Sequence, residues 1–200
     1  MSQARIFLNH EGDAWFERNR DQLGAVDPVT ETARQLPINP TSVLEIGCAN
    51  GWRLAKWREL WGCDIRGLEP SGKAIENALG SGMVIKRGTA EFLPFIQQQF
   101  DVVIFGFCLY LVDPIDYFRV ASEADRVLRD RGWLIIHDFP PEAAPYARIY
   151  QHAQGVRAYH VDFAEFWLAH PYYQLASRAG FGDELVTALR KNMAAIQVSS

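Results

Sequence analysis

The feature that most constrains the fold of this chain is the regular alternation of short apolar segments with amphipathic segments through its middle. Apolar runs between turn residues predict strands, and apolar residues three or four positions apart predict helices. The predicted strands are 42–46, 65–68, 83–87, 101–107 and 132–138, and the predicted helices are 52–60, 71–79 and 114–128. Strands that alternate with helices of this length indicate a parallel sheet covered on both faces.

The segments on either side do not continue this alternation. Residues 10–24 and 29–36 predict two short helices before the first strand. Residues 146–170 are rich in aromatic side chains and predict helix and loop, whereas the apolar run in 171–180 is too short to distinguish a helix from a strand. The last predicted elements are antiparallel strands at 184–189 and 194–198 around the polar turn RKN.

Charge and cysteine content narrow the range of functions. The net charge is −4 without a dense Lys/Arg cluster, which argues against nucleic acid as a partner because phosphate binding needs a basic surface. Three cysteines without CxxC spacing argue against a disulfide framework and a structural zinc site, and the histidines lack HxH or HExxH spacing. No secretory signal is recognisable, and no apolar run approaches the roughly 20 residues that cross a bilayer. We therefore expect a one-domain cytoplasmic protein that binds no metal, membrane or nucleic acid.

The stretch VLEIGCANG (43–51) predicts a strand that runs into a glycine-containing turn. Open parallel sheets bind ligands beyond the carboxyl ends of their strands, and Gly47 and Gly51 permit a close approach to the backbone. Glu45 precedes the glycines. A carboxylate there disfavours a pyrophosphate and favours a cation, such as the ammonium and sulfonium of S-adenosylmethionine. Ala49 stands where many such turns carry glycine, and it is tolerated if its φ angle stays negative.

A second acid lies at the end of the next predicted strand. Glu69 follows Glu45 by 24 residues, and an acid at that strand end can accept hydrogen bonds from both hydroxyls of a ribose. The alternative is a solvated carboxylate, but the glycine turn in register with Glu69 favours the ribose interpretation.

Five segments, taken in order, resemble the motifs of class I S-adenosylmethionine-dependent methyltransferases. They are VLEIGCANG, GLEPS, RGTAEFLPF, FDVVIFGFCLYLVDP and LRDRGWLIIHDF, which together cover roughly residues 40–139. The resemblance implies an α/β fold, a Rossmann-like seven-stranded and mostly parallel sheet with helices on both faces and an antiparallel C-terminal strand. It also implies S-adenosylmethionine as cofactor and methyl transfer to an oxygen or nitrogen of a small molecule. On this basis the single domain (1–200) comprises an N-terminal helical lid (1–40), a cofactor-binding core (41–139), and a substrate-side insertion with a C-terminal hairpin (140–200).

The same resemblance implies roles for individual residues. The expected contacts are with the methionine moiety for Glu45, Gly47, Cys48, Ala49 and Gly51, with the ribose for Glu69 and Pro70, with adenine for Thr89, Ala90 and Glu91, and with the methionine or donor-methyl side for Phe107. Thr89 departs from the aspartate that many members use for the adenine amine, and its hydroxyl could accept that hydrogen bond instead.

The N-terminal stretch EGDAWFERN (11–19) resembles a bacterial subgroup of these enzymes encoded with surface-sugar or nonulosonic-acid biosynthesis genes. This short match implies a sugar or sugar-derived acceptor. It also implies that residues 10–20 form a lid, with Trp15, Arg18 and Asn19 facing the site. The alternative is that Trp15 and Phe16 simply dock the first helix onto the core.

Methyl transfer needs little from a protein beyond positioning and a proton acceptor. The candidate catalytic residues are His137 at the end of the fifth strand, Tyr110 after the fourth, and His160 in the aromatic segment. A lone histidine of this kind is more often structural, and the aromatic side chains either stack on a ring-bearing substrate or pack a helix against the sheet. Cys108 is interpreted as packing rather than as a nucleophile.

Two other functions remain open. Because no base is unambiguous, the chain could be a catalytically inactive S-adenosylmethionine-binding partner or regulatory protein. A nucleotide-dependent oxidoreductase is the weaker alternative, since Glu45 precedes the glycines of the turn.

Overall fold

The polypeptide alternates strands and helices as the apolar pattern predicts. The computed structural model describes residues 2–78 and 82–195. The described strands are β1 (Ser42–Ile46), β2 (Asp64–Glu69), β3 (Val84–Arg87), β4 (Phe100–Gly106), β5 (Leu128–Asp138), β6 (Tyr146–Ile149), β7 (Arg157–His160), β8 (Tyr173–Phe181) and β9 (Glu184–Lys191). The described α-helices are α1 (Gln3–Ile6), α2 (Gly12–Asn19), α3 (Pro28–Arg34), α4 (Trp52–Trp61), α5 (Gly72–Ala78), α6 (Tyr117–Val127) and α7 (Glu165–Leu168). In this part of the chain, no helix has the length and apolar character needed to cross a membrane.

Seven strands form one sheet in the order β3-β2-β1-β4-β5-β9-β8. The five strands from β3 to β5 are parallel, and β9 pairs antiparallel with both β5 and β8. The chain moves outward from β1 to β3 and then returns to β4 on the other side of β1, so the topological switch point lies between β1 and β4. This arrangement confirms the predicted Rossmann-like fold with an antiparallel C-terminal pair.

The central strand β4 explains why its sequence is apolar at almost every position. Val102 and Ile104 belong to the apolar core on one face of the sheet, together with Trp57 of α4. Val103 and Phe105 belong to the core on the other face. Because successive side chains point to opposite faces, a strand covered by helices on both sides has no polar face.

The predicted C-terminal hairpin was wrong in the position of its turn and in one of its two strands. The hairpin consists of β8 and β9, and its turn contains Gly182, whose φ of +66° lies in the left-handed region that glycine adopts easily. The RKN stretch ends β9 rather than forming the turn. Residues Met193–Ala195 form a 3₁₀ turn where a strand was expected, and 196–198 lie outside the described residues.

The aromatic segment 146–170 was predicted as helix and loop, which was wrong for its first part. β6 and β7 form a separate two-stranded antiparallel sheet, whose aromatic and β-branched residues favour strands. We call this pair the β6–β7 hairpin. Only the short α7 in this segment is helical.

The helices before β1 follow the prediction more closely. Helical backbone begins at Gln3, includes a π-helical turn at Phe7–Glu11, and continues to Gln22. The side chain of Asp27 caps α3 by accepting a hydrogen bond from the Thr30 N–H at 3.2 Å. We refer to residues 3–22 as the N-terminal segment.

A buried ionic cluster ties these helices to the sheet. The Arg53 guanidinium of α4 donates to Asp27 at 3.0 Å and to Glu45 of β1. All three residues are at most 6% exposed. Lys56 also pairs with Asp27 at 3.0 Å, but its side chain is 40% exposed. Arg53 therefore supplies the positive charge that compensates two buried carboxylates.

Replacing Arg53 by methionine should destabilise the protein strongly, because it leaves buried Glu45 without its cationic partner and Asp27 with only the partly exposed Lys56. We expect the free energy of unfolding, measured by urea denaturation, to fall by about 3–5 kcal/mol. Lys56→Met is the matched control, since it removes a more exposed charge from the same Asp27 and should cost less than about 1 kcal/mol. Equal effects of the two substitutions would contradict the role assigned to Arg53.

Candidate functional site

A cavity opens at the carboxyl ends of β1, β2 and β4, beside the switch point of the sheet. The register places Ile46 opposite both Leu68 and Phe105, so the residues that follow these strands meet at one edge. The cavity is lined by Gly47 after β1, Glu69 and Pro70 at the end of β2, residues 88–91 after β3, and residues 106–108 after β4. Parallel sheets bind ligands at this edge.

Glycines make the close approach between the ends of β1 and β4 possible. Gly47 has a φ of +72°, and a Cβ atom there would lie 2.9 Å from the Cys108 Cβ. A Cβ atom on Gly106 would lie 2.6 Å from a Glu45 carboxylate oxygen and 2.9 Å from the Gly47 carbonyl oxygen. Side chains at either position would therefore push the two turns apart.

Ala49 adopts a φ of +49°, so the negative φ that would make its methyl group easily tolerated is not found. A left-handed conformation costs a non-glycine residue about 1–2 kcal/mol. The Ala49 N–H donates to Glu69 Oε2 at 2.8 Å, and this bond holds the turn in the conformation that brings it to the end of β2.

Glu69 is the acid that faces the cavity, and it is 6% exposed. Its two oxygens accept one backbone hydrogen bond each, from Ala49 N–H at 2.8 Å and from Ser71 N–H at 3.0 Å. Each oxygen retains capacity for a second donor. Burial raises the pKa of Glu69 to about 7, opposed by the two backbone bonds and reinforced by Glu45 and Asp13.

Glu45 does not line the cavity but lies behind the residues that do. Its carboxylate is 1% exposed, pairs with Arg53 through Oε1 and is separated from the cavity by Gly106. Burial raises its pKa, which Arg53 counteracts. Glu45 Oε2 is buried without a hydrogen-bond partner among the described residues. Glu45 therefore does not make the direct contact that was expected, because Gly106 lies between its carboxylate and the cavity.

The N-terminal segment forms the roof of the cavity, where Phe7, Gly12 and Trp15 line it. Phe16 instead packs against Ala49 and Ala74, so the two neighbouring aromatic residues have different roles. The cavity encloses about 90 Å³, which is less than the roughly 300–1,000 Å³ of typical ligand pockets.

Two other residues expected to face the site are turned elsewhere. Arg18 pairs with buried Glu11 at 2.5 Å and donates to the Tyr150 hydroxyl at 3.3 Å. The Asn19 side chain donates to the Trp15 carbonyl at 2.8 Å. Arg18 thus connects the N-terminal segment to the β6–β7 hairpin and does not line the cavity.

A second, larger cavity of about 450 Å³ lies next to the first. Its walls include Tyr110, Phe139, Tyr146, Arg148 and His160. The rings of Tyr146 and His160 stack with centroids 4.4 Å apart.

A wall of three aromatic rings stands between the two cavities. The Phe107 ring lies 5.3 Å from that of Tyr110 and 4.8 Å from that of Phe139. Phe107 lines the first cavity, whereas Tyr110 and Phe139 line the second. This three-ring wall is where the lining residues of the two cavities come into contact.

The three candidate catalytic residues do not come together. Tyr110 and His160 both line the second cavity. Burial raises the pKa of Tyr110, and burial and the nearby Arg148 lower that of His160, so both side chains are neutral near pH 7.

His137 lies on the other face of the sheet and lines neither cavity. Its Nε2 is 2.8 Å from Glu184 Oε2, and burial lowers its pKa. Side chains alternate along β5, so the neighbouring Asp138 takes the face that bears the cavities. The His137 ring nevertheless lies 4.9 Å from that of Phe107, at the carboxyl edge of the sheet where it was expected.

Sequence analysis missed several residues that shape the site. Arg53 was not identified as the partner of Glu45, and Gly106 was not identified as the residue whose missing side chain allows the close approach at the end of β4. Asp138 accepts hydrogen bonds from the N–H groups of Tyr110 at 3.2 Å and Phe139 at 2.9 Å. It thereby holds two rings of the wall, and burial raises its pKa to about 7. The sequence signal that could have identified the role of Asp138 is its position as an acid at the end of a buried strand.

Comparison with known proteins agrees with this geometry. Residues 44–136 match a family model described as a methyltransferase domain. An uncharacterized protein of Mycobacterium tuberculosis is 31% identical over 175 residues, which cover 84% of this chain but only 56% of that protein. The chain thus spans little more than half the length of this relative.

Two solved structures have a similar fold. A 1,6-didemethyltoxoflavin-N1-methyltransferase of Burkholderia thailandensis, with bound 1,6-didemethyltoxoflavin and S-adenosylhomocysteine, has a TM-score of 0.76 and 17% identity over 94% of this chain and 88% of that chain. An S-adenosylmethionine-dependent methyltransferase of Mesorhizobium loti has a TM-score of 0.63 and 16% identity over 81% of this chain and 96% of that chain. Residues 44–136 thus match a methyltransferase domain, and the described structure has the fold of these S-adenosylmethionine-dependent methyltransferases.

Proposed function

We propose that this protein transfers a methyl group from S-adenosylmethionine to an oxygen or nitrogen of a small molecule. The observation that carries the proposal is buried Glu69, which faces the cavity at the switch point with unused acceptor capacity on both carboxylate oxygens. When bound, the cofactor supplies an electrophilic methyl group on a sulfonium. The protein's part is to bind the cofactor, orient the acceptor and exclude water.

The residues around the cavity fit the cofactor by their chemistry. Glu69 would accept hydrogen bonds from the ribose hydroxyls. The backbone at Gly47 and Gly106, where a Cβ atom would collide with its neighbours, gives the close approach that the methionine moiety needs. Glu45, behind Gly106 and paired with Arg53, would hold this backbone in place rather than contact the ligand. Thr89, Ala90 and Glu91 would surround the base, and Phe107 the donor-methyl side.

The small volume of the first cavity supports a lid function for the N-terminal segment. A cavity of about 90 Å³ is small for a nucleoside-sized ligand, which supports outward movement of the roof formed by Phe7, Gly12 and Trp15 when the cofactor binds. We accordingly retain the division into a lid, a cofactor-binding core and a substrate-side region.

The second cavity is the proposed acceptor site, and a sugar or sugar-derived metabolite is the proposed acceptor. Its volume lies within the range of small-molecule pockets, and its tyrosine and histidine side chains offer both ring faces and polar groups. His160, held neutral by burial, is the proposed proton acceptor, and Tyr110 is the proposed orienting group. The similar Burkholderia enzyme binds a small molecule, 1,6-didemethyltoxoflavin.

The free cysteines support a cytoplasmic location.

Calorimetric titration tests cofactor binding directly, and mass spectrometry tests transfer. We expect S-adenosylhomocysteine to bind more tightly than about 1 mM, and label from methyl-deuterated S-adenosylmethionine to enter a component of a small-molecule extract. Binding without any labelled product would favour the alternative of an inactive cofactor-binding partner. No binding at all would rule out both functions.

Glu69→Ala should weaken S-adenosylhomocysteine binding by about 1–3 kcal/mol, because the ribose hydroxyls lose their acceptor. Asp64→Ala is a suitable control, since Asp64 begins the same strand and is exposed. Its affinity should equal that of the wild type. An unchanged affinity in Glu69→Ala, measured by calorimetry on a variant with a wild-type circular dichroism spectrum, would remove Glu69 from the ribose site.

Cofactor affinity should increase with pH through neutrality. The Glu69 pKa of about 7 means that much of the free protein carries a protonated carboxyl at pH 6, whereas the ionised form is the better acceptor for two hydroxyls. The affinity for S-adenosylhomocysteine should therefore rise roughly tenfold between pH 6 and pH 8. In Glu69→Gln this pH dependence should disappear, and its persistence there would assign the titration to another group, such as Asp138, whose pKa burial also raises to about 7.

A further inference from the structure

We propose that the methyl acceptor carries an acidic group and that Arg148 binds this group at the outer end of the second cavity. The inference rests on the proposed function and deepens it, because it narrows the acceptor to a sugar that bears a carboxylate or a phosphate. It begins from the position of Arg148, a cation that lines the second cavity. In the described part of the chain, no carboxylate forms an ion pair with its guanidinium.

The pairing of the β6–β7 hairpin places Arg148 on the face that borders this cavity. Tyr146 lies opposite His160 in the hairpin. Arg148 lies two residues after Tyr146, opposite Ala158. Because side chains alternate along a strand and opposed residues share a face, these four side chains lie on one face, and all four line the cavity. The small side chain of Ala158 leaves room for a ligand beside the guanidinium.

The Tyr146 ring fixes the guanidinium relative to His160. The Tyr146 and His160 rings are stacked with centroids 4.4 Å apart, and the Arg148 Cζ lies 4.9 Å from the centre of the same tyrosine ring. Two groups this close to one ring centre cannot share a face, so Tyr146 lies between them. His160 is 8% exposed, whereas Arg148 is exposed. The cavity therefore has an inner end that carries the proposed proton acceptor and an outer end that carries a positive charge.

The acids that line the same cavity do not pair with Arg148. Glu142 accepts a hydrogen bond from the Tyr146 hydroxyl at 2.9 Å, and Asp183 lies in the turn between β8 and β9. The guanidinium N–H donors thus remain available to a ligand, and their planar arrangement matches two oxygens of a carboxylate or a phosphate. An acceptor with such a group would be held by a contact that a neutral sugar cannot make.

Pairing of Arg148 with an acid would also make His160 a better proton acceptor. Burial and then Arg148 lower the pKa of His160, and Glu142 opposes them. An acidic group on Arg148 would offset its positive charge, so the pKa of His160 would rise toward its ordinary value. The same group would therefore orient the acceptor and strengthen the base.

Separating a small-molecule extract by charge tests the class of acceptor. An anion exchanger at about pH 8 divides the extract into an acidic and a neutral-to-basic fraction, and each fraction receives wild-type protein and methyl-deuterated S-adenosylmethionine. We expect label in the acidic fraction, in a product that stays acidic because the methyl group enters the acceptor at the His160 end. Loss of carbon dioxide on fragmentation would identify a carboxylate, and release of a phosphate ion would identify a phosphate. Label in the neutral-to-basic fraction alone would overturn the proposal.

Charge substitutions within the hairpin assign the contact to Arg148. In Arg148→Gln the apparent KM for the acidic fraction should rise roughly 10–100-fold, the range for a lost hydrogen bond to a charged group. The kcat should change by less than about threefold, because the contact holds ground state and transition state alike. Arg148→Lys keeps the charge and should recover part of the loss. Arg157→Gln is the matched control, since Arg157 belongs to the same hairpin but does not line the cavity, and its KM should equal that of the wild type.

The possible failures are distinguishable. An unchanged KM in Arg148→Gln, or an equal loss in Arg157→Gln, would overturn the role of Arg148 while leaving methyl transfer intact. Absence of label from both fractions would overturn the proposed function and this inference with it.

Discussion

The ion pair between Arg53 and Glu45 fixes the point where β1 and β4 end, and the candidate site is arranged around that point. Glu45 is the penultimate residue of β1 and lies directly behind Gly106. Arg53 reaches it from the first turn of α4 and also binds Asp27, the cap of α3. One guanidinium therefore sets the position of the glycine turn, the helix that follows it, and the helix that precedes the sheet. Without that charge, the two carboxylates would repel each other beneath the cavity.

The three buried acids near the cavities carry different charges because their partners differ. Glu45 has a cation beside it, whereas Glu69 and Asp138 have only backbone N–H donors, and burial raises the pKa of both to about 7. A carboxyl whose pKa is raised on folding stabilises the protein fully below its unfolded pKa, and that contribution is lost as pH rises through the folded pKa. The free protein is thus stabilised by protonating the group that the ligand needs ionised. The proposed cofactor binding thus favours ionised Glu69, whereas the stability of the free protein favours protonated Glu69.

The sequence predicted the parallel half of the fold well, because β1, β4 and β5 are apolar runs that periodicity identifies without tertiary information. It failed where the outcome depends on contacts distant in sequence. Ala49 adopts a positive φ because Glu69, 20 residues later, accepts its N–H. His137 lies on the opposite face of β5 from Asp138 because of its parity in the strand, which could have been read from the apolar residues on either side of it. Glu69 and the glycine turn were identifiable from the sequence, whereas the role of Arg53 required the folded arrangement.

The N-terminal segment, which lines the first cavity, and the β6–β7 hairpin, which lines the second, are joined by the buried carboxylate of Glu11. Glu11 of the N-terminal segment is 2% exposed, and its Oε1 accepts from Arg18 at 2.5 Å and from the Tyr150 hydroxyl at 3.0 Å. Tyr150 follows β6 and lines the second cavity, while Phe7 beside it lines the first, with ring centroids 6.2 Å apart. In the proposed lid movement, lifting the N-terminal segment away from the hairpin would separate Glu11 from Tyr150 and part these two rings. The movement that would admit a ligand to the first cavity would then also displace a residue that lines the second, and would leave the buried Glu11 with fewer partners.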